Sequence, residues 1–151
     1  MPRATSIAAD QELIGRLRLS VARLARLLRQ QDQSGLTPTA TAMLATIARR
    51  GPLTLGELAA AEQVAPPTIT KIVGRLETAG LIERLPDADD RRVCRVVISR
   101  AGASQLDANR SRRTAWLAEQ FAALSVEDQD RLADAVAVLE RLTEPPGGEP
   151  R

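Results

Sequence analysis

Histidine and tyrosine are both absent from this 151-residue chain, which carries one cysteine, Cys94, and only two aromatic residues, Trp116 and Phe121. Without histidine the commonest general base and metal ligand is missing. No glycine-rich phosphate loop replaces it, and the acidic group Asp87, Asp89 and Asp90 sits beside arginines that compete with any cation. The composition therefore argues against an enzyme and implies neither cofactor nor metal. A single cysteine excludes an intramolecular disulfide and a cysteine-based zinc site, and fits a reducing cytosol. No run approaches the roughly 18 consecutive apolar residues of a membrane span, and Met1-Pro2-Arg3 leads into a mixed amphipathic segment rather than a signal sequence. The expectation is a cytoplasmic protein with no membrane partner. With so few aromatics the core must be built from Leu, Val, Ile and Ala, which suits packed helices better than a β-sandwich.

What is present is enough for one compact domain over residues 1–151, with 44% hydrophobic and 26% charged residues. The net charge of +2 says little about partners, so the placement of charge must carry the argument. Leu13, Leu17, Val21, Leu24 and Leu28 recur every three or four residues, predicting an amphipathic helix over residues 8–31 that stops at Ser34-Gly35. Thr37-Pro38 opens a second helix with Ala40, Met43, Leu44 and Ile47 on its inner face, ended by Gly51-Pro52. Thr54 caps a short third helix carrying Leu55, Leu58 and Ala59. After the turn at residues 62–65, Ile69, Ile72, Val73 and Leu76 define the buried stripe of a fourth helix, over residues 66–79, which Gly80 terminates. Two strands, over residues 81–85 and 93–98, flank the tip Asp87-Ala88-Asp89-Asp90-Arg91-Arg92. Helical patterning resumes over residues 100–124, and Ser125-Val126-Glu127-Asp128 reads as a capping box with Asp in place of Glu, opening a last helix to Leu142. Residues 143–151, rich in Pro and Gly, read as a flexible tail.

Helix, turn, helix and basic hairpin in that order make a winged helix-turn-helix over residues 37–99, in a mainly α fold with a small β-hairpin wing. If Ile69, Ile72, Val73 and Leu76 face inward, Pro67, Thr68, Lys71 and Arg75 face outward, with Thr70 at the edge. Such a face suits double-stranded DNA. Threonine hydroxyls and methyls meet base edges or phosphate, and Lys and Arg reach guanine or the backbone. In the hairpin, Arg91 and Arg92, with Arg95 behind, present positive charge to a minor groove, while Asp90 is expected to pair with Arg92 and hold the turn. The DNA-contacting set is therefore Pro67, Thr68, Thr70, Lys71, Arg75, Asp90, Arg91 and Arg92. The helices over residues 8–31 and 100–142 are not needed by a winged helix, and their apolar stripes predict a homodimer, which favours a pseudo-palindromic operator.

The chain resembles the MarR family of multiple-antibiotic-resistance regulators over nearly its full length. The family wing reads Asp-x-Arg, five residues, then Leu-Thr; here Asp90-Arg91-Arg92, Val93 to Val97, then Ile98-Ser99. Leu36-Thr37, the stretch from Val64 to Lys71, and Glu77-Thr78-Ala79-Gly80-Leu81-Ile82 also resemble family text, whereas Ala65-Pro66-Pro67 stands where the family often has a polar N-cap. The resemblance implies a homodimeric transcription regulator, usually a repressor, released from DNA by a small lipophilic or phenolic ligand or by thiol oxidation. Cys94 is in phase with Val96 and Ile98, which predicts a small buried side chain rather than a sensor. Trp116 reads as an interface or core anchor. Two other readings remain open: a winged-helix module for protein-protein assembly, and an architectural DNA-binding protein without operator preference.

Overall fold

Threonine hydroxyls start two of the helices that build the core of this protein. In the computed structural model, which describes residues 3–90 and 92–143 and the side chains of 10–90 and 92–143, Thr37 accepts from Ala40 N at 3.2 Å and opens α2 (Pro38–Arg50). Thr54 opens α3 (Leu55–Glu62) with a complete capping box: its hydroxyl accepts from Glu57 N at 3.1 Å, and Glu57 accepts from Thr54 N at 2.7 Å. Before them α1 spans Arg3–Gln30, starting five residues earlier than its periodicity predicts. After α3, Gln63 takes a left-handed conformation (φ 53°) to turn the chain into α4 (Pro66–Thr78). A hairpin of β2 (Ile82–Pro86) and β3 (Cys94–Ile98) follows, then α5 (Arg100–Ala122) and α6 (Val126–Thr143). The last helix thus includes Thr143; the expected tail beyond it, from residue 144, lies outside the described residues, as does Arg91.

The sheet has three strands, one more than the hairpin predicts. β1 (Leu53–Thr54) pairs antiparallel with β3, Leu53 opposite Val96 and Thr54 opposite Arg95, giving the order β1-β3-β2. A two-residue strand carries no alternation to read, so only its partner reveals it.

Two compact units divide the chain, the first ending at Arg113 and the second beginning at Thr114. In the first, the predicted inner faces meet: Met43, Leu44 and Ile47 of α2, Leu58 of α3, Ile69, Val73 and Leu76 of α4, and Val96 of β3 are fully buried. Burying each such side chain stabilises the fold by about 1.5–3 kcal/mol. The loop after α1 is held by Asp32, which accepts from Ser34 N at 2.8 Å and pairs with Arg113 at 3.5 Å. Burial pushes its pKa up, but hydrogen bonds from Ser34 and Asn109 and the Arg113 charge outweigh this and leave the carboxyl below the ordinary value. In the second unit, Ser125 caps α6 by accepting from Asp128 N at 3.2 Å. The Asp128 carboxylate takes the Ser125 hydroxyl at 3.0 Å rather than the cap amide, since it is one methylene shorter than the Glu of a full capping box.

The tightest point in the first unit is where α4, the sheet and α5 converge. Gly80 (φ 71°) ends α4, donating to Glu77 O at 2.8 Å while Leu81 N reaches Leu76 O at 2.9 Å, and Leu81 packs with Leu76 in the core. Ser99 N donates to Leu81 O at 3.0 Å, and its hydroxyl donates to Gly80 O at 2.6 Å while accepting from Gly102 N at 3.0 Å, so Ser99 also caps α5. Gly102 lies so close to the hairpin that a Cβ there would stand 2.1 Å from Leu81 O. Gly102→Ala is expected to lower unfolding free energy by about 1–3 kcal/mol in urea titrations. Gly74→Ala, in α4 with nothing within 4 Å of a new Cβ, is expected to leave it unchanged or raise it by up to about 1 kcal/mol.

Candidate nucleic-acid interface

The core stripe of α4 fixes which side chains the helix shows to solvent. Ile69, Val73 and Leu76 are buried and Ile72 packs against the core, so Pro67, Thr68, Thr70, Lys71 and Arg75 are all exposed, as predicted. Lys71 and Arg75 stand one turn apart, about 6 Å along the axis. Neither enters an ion pair among the described residues, so both cations are available to an external anion. Arg75 also lines a hollow of about 100 Å³ with Leu36, Thr37 and Ala40 around the start of α2.

The helix start is poor in amide donors. Ala65 at the N-cap position offers no side-chain bond, Pro66 and Pro67 have no N–H, and Thr68 N and Ile69 N both reach Ala65 O, at 3.0 and 3.2 Å. A phosphate here meets side chains rather than a ring of free amides. The Thr70 hydroxyl donates to Pro66 O at 3.1 Å, which leaves its oxygen as an acceptor and its methyl as a contact.

The wing tip is built by aspartates that accept backbone amides. Asp87 Oδ1 takes Asp89 N at 2.9 Å and Asp90 N at 3.1 Å, and the ends of the turn close through Asp87 N to Val93 O at 2.8 Å. Asp90 Oδ1 then accepts from Arg92 N at 3.0 Å and Nε at 3.1 Å, with Nη2 on Oδ2 at 3.2 Å. The expected Asp90–Arg92 pair is therefore present, and it orients a guanidinium whose side chain remains 90% exposed. The Arg92 guanidinium, joined by the Arg92 amide, holds the Asp90 carboxyl below the usual carboxylate range. Arg91, the other predicted contact at the tip, is outside the described residues.

Two arginines of the wing are held by carboxylates on neighbouring elements, and for Arg95 this departs from its expected role as positive charge behind the tip. Arg95 Nε donates to Asp87 Oδ2, and its Nη1 reaches Glu57 Oε2 at 3.1 Å and Pro52 O at 3.4 Å. Arg84 on β2 pairs with Glu77 of α4 at 2.8 Å. Neither partner is signalled by local spacing: Glu57 is 38 residues from Arg95. The Arg95 hydrogen bond, joined by the amides of Asp89 and Asp90, pulls the Asp87 carboxyl down to about 2.

Cys94 departs from the expected burial and is exposed. The strand phase is correct, since Val96 is buried, but Cys94 pairs with Pro86 at the outer end of the hairpin, beyond the reach of the core.

Comparison with known proteins places this geometry in a family. Residues 36–94 match the MarR family. An uncharacterised HTH-type transcriptional regulator of Mycobacterium leprae is 36% identical over 140 residues, covering 91% of this chain and 98% of that protein. The HTH-type transcriptional repressor MdtR of Bacillus subtilis is 28% identical over 118 residues, covering 78% of this chain and 76% of its own. The structure of a MarR family protein from Bacillus stearothermophilus superposes with a TM-score of 0.71 at 25% identity, over 95% of this chain and all of the other. With an outward basic face on α4, a charged wing beside it and this kinship along the chain, the protein belongs to the MarR family of DNA-binding transcription regulators and is not an enzyme.

Proposed function

We propose that this regulator binds a pseudo-palindromic operator as a homodimer and represses transcription from it. The observation that carries the reading is the exposed face of α4 whose Lys71 and Arg75 enter no ion pair among the described residues, together with the exposed Arg92 on the wing. Pro67, Thr68 and Thr70 supply apolar and hydroxyl contacts for base edges in the major groove, and Arg92, oriented by Asp90, meets the adjacent minor groove or its phosphates. Arg91 is assigned to the same contact from its place in the sequence.

Dimerisation is supported by apolar side chains left uncovered on the terminal helices. Leu13, Leu17, Val21 and Leu24 of α1 and Leu132, Val136 and Leu142 of α6 are between 39% and 66% exposed. Helical stripes of that kind are ordinarily covered by another apolar surface. A second copy of the chain supplies one with two-fold symmetry, which sets the two reading helices about 34 Å apart, one turn of DNA. Repression is supported by the name of the relative MdtR. Release by a small lipophilic or phenolic effector completes the reading, and its support is kinship with the family.

Selection against a random duplex library is expected to enrich an inverted repeat with half-sites about 10 base pairs apart, bound at least about 10³-fold more tightly than scrambled DNA. Sequence-blind binding would instead indicate an architectural protein, and a lack of binding a protein-assembly module. On the selected duplex, Lys71→Ala and Arg92→Ala are each expected to weaken binding and to reduce the slope of log affinity against log salt by about 1.8, about 0.9 for each protomer of the dimer. Unchanged affinity in both would overturn the assignment of this face. In sedimentation experiments, Val136→Asp is expected to shift the dimer toward monomer, whereas an undisturbed dimer would exclude α6 from the interface.

A further inference from the structure

The wing beyond Val96 has no core of its own. On β2 only Ile82 is buried, and Glu83, Arg84, Leu85 and Pro86 are exposed; on β3 Cys94 is exposed and Arg95 half-buried. The direction in which the tip points therefore depends on polar ties rather than on packing. Arg95 makes the longest-reaching of these. It lies opposite Thr54 across the β1–β3 pair, and its guanidinium grips Asp87 through Nε and Glu57 Oε2 through Nη1. That same Glu57 oxygen accepts Thr54 N at 2.7 Å, so one carboxylate oxygen serves both the α3 capping box and the wing. Asp87 in turn organises the tip, because its other oxygen holds the amides of Asp89 and Asp90.

We propose, resting on the DNA-binding reading above, that Arg95 is a positioning residue. By clasping the base of the wing turn to the start of α3, it fixes the angle at which Arg92 is presented beside α4. Its own charge is neutralised by two carboxylates and makes no phosphate contact. The planar fork is what the task requires, since two carboxylates are held by separate nitrogens in a fixed geometry that a lysine ammonium cannot reproduce. The pair with Glu57 is open to solvent and contributes little to global stability, and the pair with Asp87 sits at the outer end of the hairpin away from the core, so the effect of losing them falls on wing orientation. Asp87, held at about 2 against an ordinary 3.8, keeps its partner at every pH above about 4 and loses it only as pH falls toward 2, so the clasp is constant through neutral pH.

The test uses the full chain, the duplex it selects from a random library, and the variants Arg95→Met, Arg95→Lys and Arg92→Ala. Both Arg95 variants are expected to bind that duplex about 10-fold more weakly, with a salt slope like that of the wild type and a thermal midpoint within about 2 °C of it. Arg92→Ala, which removes one contact from each protomer, is expected to lose about two units of slope. In the free protein, hydrogen exchange at the amides of Asp87 and Val93 is expected to quicken about 10-fold in both Arg95 variants while Val73 in α4 is unchanged. A slope loss in Arg95→Met would mean a direct phosphate contact and overturn the proposal. So would wild-type affinity in Arg95→Lys, where charge alone would then suffice, or wing exchange that fails to change. A wild-type protein that enriched no duplex would remove the DNA-binding reading, and the proposal with it, whatever the exchange rates.

Discussion

Ser99 holds together the three parts on which the reading surface depends. Its amide, its hydroxyl proton and its hydroxyl lone pair each go to a different element: the start of the hairpin at Leu81, the end of α4 at Gly80, and the first turn of α5 at Gly102. The side chain is nearly sealed from water, 8% exposed, where a lost hydrogen bond would leave a buried polar group unsatisfied. Gly102 makes the approach possible, because any Cβ there would collide with Leu81 O. α4 therefore ends, the sheet begins and α5 starts in one fixed arrangement, and the face of α4 that bears Lys71 and Arg75 inherits its orientation from that junction.

Charge in the reading head is divided between holding and contacting. Arg84 and Arg95 are engaged with Glu77, Asp87 and Glu57 on neighbouring elements, whereas Arg92 is tied only within its own turn and Lys71 and Arg75 pair with nothing among the described residues. A modest net charge of +2 is consistent with this division. Affinity for a polyanion depends on how many cations reach phosphate, not on how many the chain contains.

Much of this was legible from residue order. The 3.6-residue recurrence of Ile69, Ile72, Val73 and Leu76 identified the buried side of α4 and hence the exposed side, and Gly80 marked its end through a left-handed residue. Thr54 with Glu57 three residues later is a local pairing, so α3 could be started correctly. The Asp90–Arg92 pair spans two residues and was equally readable. Where the reading failed, the deciding partner was remote. β1 exists because Val96, 43 positions from Leu53, lies opposite it. Cys94 follows the alternation of its strand yet is exposed, because alternation reports which face a residue occupies and not whether the core extends that far.

The sequence by itself determined the aliphatic core, the order of the helices and the hairpin, the outward set on α4 and the family, since all of these rest on local spacing and on contiguous motif text. Only the tertiary structure decided which arginines remain for a partner. An ion pair between Arg95 and Glu57 leaves no local pattern, because electrostatic attraction acts through the distance between folded side chains and not through their separation along the chain.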